Sequence, residues 1–143
     1  MAARNAQGSA VTRGRRVVVD TNVLILAFAG QEPFADFLSG LIREDRLLLS
    51  SLAVAEFLVG SDRLAALTFL NIAERSTVLP VGMETARLAA QFRHEFHSRR
   101  IKVPLLDCLI AAQCSLAGAE LATLNSRDYP KGMVDLVAFG GKP

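Results

Sequence analysis

Val17-Val18-Val19-Asp20-Thr21-Asn22-Val23-Leu24-Ile25 begins with three β-branched residues and passes through a polar triplet into a second apolar stretch. The valines are stiff at χ1 and favour a pleated strand. Thr21 and Asn22 supply capping oxygens for a helix from about Val23 to Ala29. The strand has no polar face, the pattern of a strand covered on both sides, and such strands belong to parallel sheets.

Outward from this unit the same alternation recurs. Pro33 opens a helix to about Glu44, with Phe34, Phe37, Leu38, Leu41 and Ile42 at helical spacing. Leu47 to Leu49 form a second short strand, closed by Ser50 and Ser51 as caps of a helix that runs to Gly60 and carries Glu56. Asp62 caps a helix through about Glu74, Thr77 to Leu79 make a third strand stopped by Pro80, and a charged helix spans about Glu84 to Ser98. After a basic loop, Pro104 introduces an apolar helix from about Leu106 to Leu116 that Gly118 terminates. Leu121 to Thr123 give a fourth strand, and Val134 to Phe139 a fifth. Apolar strands separated by helices predict an α/β fold: a parallel sheet of four to five strands with helices on both faces.

Composition agrees with one domain, since 143 residues with 51% hydrophobic content can bury a core. Residues 17–143 read as that domain, and residues 1–16, with Arg4, Arg13, Arg15 and Arg16, as a flexible basic extension lacking the apolar region of a secretory signal. Apolar runs such as Leu47 to Val59 are broken by Ser50, Ser51 and Glu56 and fall short of a membrane span. Cys108 and Cys114 match no metal-ligand spacing and read as reduced core residues of a cytoplasmic protein. The formal charge of +2 leaves partners open. Sequestering several acids in one site would bias the remaining surface toward polyanions.

In a right-handed parallel fold, strand C-terminal ends and the N-termini of following helices share one edge of the sheet, and ligands bind there. Asp20 ends the first strand, Glu56 lies in the helix leaving the second, Asp107 opens the helix before the fourth, and Asp128 follows the fourth strand. Each alone has an ordinary reading as a cap, a helix-dipole acid or a turn residue. Glu56 is the exception: its helix offers almost no polar face, so its carboxylate is expected to be poorly solvated and in need of a partner. No Lys or Arg is embedded in these apolar segments, and acids meeting without a cation raise one another's pKa. A hard divalent cation, Mg²⁺ or Mn²⁺, resolves that conflict in an all-oxygen site.

The segments Val-Val-Val-Asp20-Thr-Asn-Val-Leu-Ile, Ala-Val-Ala-Glu56-Phe, Pro-Leu-Leu-Asp107-Cys-Leu-Ile-Ala-Ala and Ala-Thr-Leu-Asn125-Ser-Arg-Asp128-Tyr resemble, in order and placement, the four motifs of PIN-domain ribonucleases. A lone short domain of this kind is similar to the VapC toxins of toxin–antitoxin pairs. The resemblance implies metal-dependent hydrolysis of RNA, with Asp20 and Asp107 as principal metal ligands. Glu56 and Asp128 would hold a second ion or orient the attacking water, and Thr21 or Asn125 would hydrogen-bond a ligand carboxylate. It implies a homodimer bound by a small antitoxin, for which the Phe34, Phe37, Leu38, Leu41 helix and the Phe57, Leu58 surface offer apolar area. Arg99, Arg100 and Lys102 either steer RNA phosphates or form a solvated loop.

Other chemistries fit less well. His94-Glu95-Phe96-His97 has its histidines three apart, whereas the zinc-protease motif requires four, so a solvated helix face is expected. A haloacid-dehalogenase-like phosphatase needs an acid where Asn22 stands, and a receiver domain needs an acceptor Asp where Leu79-Pro80-Val81 is found. The remaining alternatives are a PIN-domain nuclease of RNA processing and a non-catalytic acidic α/β binding or signalling module.

Overall fold

A computed structural model describes residues 14–139. Most of the basic extension expected over 1–16 lies outside the described residues. Within them the Arg15 guanidinium holds Asp135 at 2.9 Å and Arg16 donates to the Thr77 hydroxyl at 3.2 Å.

The chain runs β1 (Val17–Val19), α1 (Thr21–Phe28), α2 (Phe34–Arg43), β2 (Leu47–Ser50), α3 (Ser51–Gly60), α4 (Arg63–Glu74), β3 (Thr77–Leu79), α5 (Met83–Ser98), α6 (Leu105–Ala117) and β4 (Glu120–Ala122). A 3₁₀ turn over Ser126–Asp128 follows. The four strands form one parallel sheet in the order β3-β2-β1-β4, with Val17 opposite Leu47 on one side and Glu120 on the other. The chain therefore builds outward from β1 through β2 to β3 and then crosses back to lay β4 on β1's free side. The crevice between β1 and β4 is the point where strand order reverses, and there diverging connections leave room for a ligand.

Both faces are covered, as the unbroken apolar strands require. Val18, Leu48 and Leu121 point to a core closed by α5 and α6 through Ala89, Phe96, Cys108, Ala111 and Ala112. Val17, Val19, Leu47 and Leu49 point the other way, onto Val23 and Leu24 of α1, Leu38 and Leu41 of α2, Phe57 of α3 and Phe69 of α4. The alternation of neighbouring residues between two cores is the period-2 geometry of a strand. Cys108 and Cys114 are buried free thiols, and among the described residues no helix is long and apolar enough to cross a membrane.

One buried polar connection locks α6 to the sheet. The Ser50 hydroxyl donates to Gln113 Oε1 at 2.5 Å, while Gln113 Nε2 donates to the carbonyls of Leu79 (2.9 Å) and Pro80 (3.0 Å). Ser50 also accepts from the Leu52 N–H at 3.1 Å, so the same hydroxyl caps α3. The Ser50 hydroxyl and the Gln113 amide, both buried, each have partners, the condition under which buried polarity is tolerated.

Two expectations fail for tertiary reasons. Val134 to Phe139 form no fifth strand: the segment touches β4 at a single parallel bridge, Leu121 with Leu136, held by Leu121 N–H to Asp135 O (2.8 Å) and Val137 N–H to Leu121 O (2.9 Å). Beyond it Phe139 turns away and packs edge-on against Phe34 and Phe37, at centroid distances of 5.3 and 5.0 Å. That packing also uses the α2 face expected to meet a partner. Leu38, Leu41 and Phe57 are buried too, Phe57 stacked on Phe69 at 4.3 Å. A group of exposed apolar residues stands instead at the end of α3 and on α4, with Val59 89%, Leu64 75% and Leu67 57% exposed.

Candidate active site

Asp20 sits where β1 ends at the switch-point crevice, its main-chain N–H extending the sheet ladder to Ala122 O at 2.9 Å. Its side chain has two simultaneous tasks. Oδ1 caps α1, accepting from the Thr21 N–H at 2.9 Å, and Oδ2 accepts from the Thr123 hydroxyl at 2.8 Å. The capping and the functional readings of this residue are thus compatible. A carboxylate that accepts two such bonds is held in one rotamer while keeping lone pairs for a ligand.

The neighbouring Thr21 carries the site to α3, its hydroxyl donating to Glu56 Oε1 at 2.7 Å. Glu56 is exposed, contrary to the expectation of poor solvation. Only one side of apolar α3, represented by Ala53 and Phe57, packs on the core, and Ala55, Glu56 and Val59 face outward. Asp107 lies in the first turn of α6, half-buried, and receives a long 3.5 Å hydrogen bond from the Tyr129 hydroxyl. Asp128 is exposed in the 3₁₀ turn after β4.

Electrostatics ties these acids together. The Asp107 carboxyl is pushed above the ordinary carboxylate range, first by burial, then by the negative charges of Asp128 and Asp20, with Glu56 adding less and the Tyr129 hydroxyl opposing. Tyr129 is raised strongly by burial and by Asp20 and Asp107, so its phenol stays protonated and can only donate to a carboxylate here. The Cys114 thiol is pushed up to about 12 by burial and by Asp20, which keeps it an inert core group. Among the described residues no Lys or Arg forms an ion pair with any of the four acids. Nor do any three Asp, Glu, His or Cys side chains among them converge closely enough to enclose an ion. The four carboxylates share one field without forming a closed cage.

Two residues to which the sequence assigns no role prove central to the geometry. Thr123, expected as the last residue of β4, leaves the ladder and gives its hydroxyl to Asp20, and Tyr129, beside Asp128, supports Asp107. A hydroxyl ending an otherwise apolar strand is the available signal for Thr123. Asn125 meets the site through its main chain, donating to Thr123 Oγ1 at 3.1 Å and accepting from the Asp128 N–H at 2.9 Å. Arg99, Arg100 and Lys102 are exposed between α5 and α6, with the Arg99 guanidinium 4.5 Å from the Phe96 ring centroid. His94 and His97 are exposed on α5.

Comparison with known proteins gives this arrangement its relatives. The chain is 25% identical to Ribonuclease VapC of Rickettsia bellii (strain RML369-C) over 126 residues, covering 80% of this chain and 89% of that protein. Its fold is similar to a toxin–antitoxin complex chain from Klebsiella pneumoniae (TM-score 0.69, 24% identity, 85% of this chain and 96% of that one). It is similar as well to VapBC2 from Rickettsia felis, solved with a DNA fragment from its promoter (TM-score 0.70, 20% identity, 85% and 96%). The PIN domain family model matches residues 17–131, the span that holds the whole sheet and all four acids. The chain belongs to the PIN-domain family.

Proposed function

We propose that the chain is a ribonuclease toxin of the VapC kind, hydrolysing RNA phosphodiesters with a divalent metal. The observation that carries this reading is the gathering of Asp20, Glu56 and Asp128 around half-buried Asp107, whose carboxyl is pushed up by burial and then by their negative charges, with none of the four paired to a Lys or Arg among the described residues. Relatives named ribonuclease VapC, and neighbours described as toxin–antitoxin or VapBC complexes, support it and disfavour a non-catalytic module.

The donor chemistry fits Mg²⁺ or Mn²⁺. These hard ions prefer carboxylate oxygens, and Mg²⁺ is often bound by one or two carboxylates while keeping several waters, so an open pair suffices where no cage exists. Asp20 and Asp107 are the ligands in this reading. When bound, the ion supplies positive charge to the scissile phosphate and acidifies the attacking water. Thr123 and the Thr21 N–H fix the Asp20 carboxylate, and Tyr129 orients that of Asp107. Exposed Glu56, steadied by the Thr21 hydroxyl, accepts the proton of the attacking water, and Asp128 completes the acidic rim. Arg99, Arg100 and Lys102 attract RNA phosphates toward α6.

Residues 17–143 constitute the domain, preceded by a basic extension over 1–16, and the protein acts in the cytoplasm as a homodimer held in check by a small antitoxin. Exposed Val59, Leu64 and Leu67 offer apolar area for such contacts. The test is cleavage of RNA by purified protein with Mg²⁺, with excess EDTA, and after Asp20→Asn, together with growth of cells expressing each form. Cleavage only by wild type with metal, and growth arrest relieved by the substitution, are expected. Full cleavage in EDTA overturns the metal mechanism; equal growth at equal protein levels overturns the toxin assignment.

A further inference from the structure

Beside the acidic site, the β4 edge leaves a groove of about 390 Å³ lined by Thr123, Leu124 and Ser126 on one side and by Leu136, Val137, Ala138 and Phe139 on the other. Its volume lies within the range of small-molecule sites, about 300 to 1,000 Å³. It exists because the sheet fails to gain a fifth strand. The 136–139 segment runs parallel to β4, is pinned to it at Leu121, and then swings out to Phe34 and Phe37. Between the pinned and diverted parts the strand edge stays open.

We infer that this groove is a base-binding subsite, taking one unpaired nucleobase of single-stranded RNA next to the scissile phosphate. The inference rests on the nuclease reading and deepens it. Three observations support it. Thr123 lines the groove and donates to Asp20, so the groove begins one side chain away from the proposed metal ligand. No lining residue is ionisable, which suits a flat neutral base rather than a phosphate or an acidic peptide. Its walls combine apolar Leu124, Leu136, Val137 and Phe139 with the hydroxyl of exposed Ser126, the mixture that holds a base by its face and reads its edge. Arg127, exposed in the turn next to Ser126, adds a positive charge adjacent in sequence to the groove wall. A base in a duplex is stacked and paired and cannot enter, so the groove selects unpaired RNA.

The test uses two groove variants, Ala138→Trp to fill the groove and Leu124→Ala to remove a wall, both at exposed positions. Binding of labelled A, C, G and U oligoribonucleotides of about eight nucleotides is measured by anisotropy in an Asp107→Asn background with Mg²⁺. Cleavage maps on RNA with randomised sequence are read without that substitution. Expected are a preference among the four oligomers, affinity of the preferred one lowered about tenfold by Ala138→Trp, and loss of base preference at one position beside the cut. Cleavage that retains its base preference and KM in both variants overturns the subsite and leaves the nuclease standing. Wild type that binds with base preference, lost in Ala138→Trp, yet never cleaves overturns the nuclease reading and leaves the subsite. Equal binding of a hairpin duplex and the single strands overturns the selection for unpaired RNA.

Discussion

The Thr123 hydroxyl donates to Asp20 Oδ2 at 2.8 Å, joining the ends of two adjacent strands that are 103 residues apart in the chain. Thr123 is a positioning residue, and Thr123→Val removes its hydrogen bond while preserving shape. Outer-shell groups of this kind typically govern metal affinity by about 10- to 100-fold. Mn²⁺ titration by calorimetry is expected to show a loss of about tenfold, with Thr123→Ser restoring it. Unchanged affinity in the valine variant would show that Asp20 needs no such support.

Asp107→Asn converts the carboxylate repulsion into a stability measurement. Its folded pKa is raised, so the proton is bound more tightly in the native state than in the unfolded chain. The associated stabilisation is complete below the ordinary value of 3.8 and is lost as pH rises through the raised folded value. At pH 7 without metal the variant is therefore the more stable protein. Solvent screening limits the gain to below about 1 kcal/mol, or about 3 °C in melting temperature. The gap closes as pH falls toward 4, and Mg²⁺ stabilises wild type more than the variant. A variant less stable than wild type in EDTA, with an equal response to Mg²⁺, would reduce Asp107 to a helix-dipole acid.

Gln113→Leu tests the buried network. It leaves the carbonyls of Leu79 and Pro80 without their side-chain donor and the Ser50 hydroxyl without its acceptor. The expected cost is about 3 kcal/mol, a fall of about 10 °C in a thermal melt. A loss under about 1 kcal/mol would mean that water replaces the amide.

Replacing Arg100 and Lys102 together by Gln is expected to weaken RNA binding at low salt and to flatten the dependence of log K on log salt by about one for each phosphate that is no longer neutralised. The rate constant at saturating RNA should stay near wild type. An unaltered salt slope would leave these residues as a solvated loop.

Leu64→Glu with Leu67→Glu should lower the assembly size seen by light scattering without lowering the melting temperature, because both side chains are exposed. A wild-type monomer at micromolar concentration, with no small protein co-purifying, would remove both homodimer and antitoxin from the proposal.

Much of this architecture is legible in the sequence because its signals are local. Three valines before Asp20, the Ser50 and Asp62 caps and the Gly118 terminator fix strand and helix limits through neighbours in sequence, and Gly118 does adopt the left-handed conformation at φ 64°. What escapes depends on partners distant in sequence. Val134 to Phe139 has strand composition, but Phe139 is drawn off by two rings on α2, about a hundred residues earlier. The apolar helix around Glu56 suggests a shielded carboxylate; the packing of one side of α3 and exposure of the other decide otherwise. Convergence of Asp20 and Asp107 on one edge follows from parallel topology, whereas the support from Thr123 and Tyr129 needs β4 actually laid beside β1.

That last adjacency has a consequence for the timing of synthesis. β1 is made first and β4 last of the strands, so Asp20 cannot acquire its Thr123 hydrogen bond until nearly the whole domain has left the ribosome. A nascent chain ending before Glu120 holds Asp20, Glu56 and Asp107 but lacks the strand that seats them, as well as Asp128. On the ribonuclease reading proposed above, a growing chain is therefore expected to stay inert toward RNA until its final strand is free to dock.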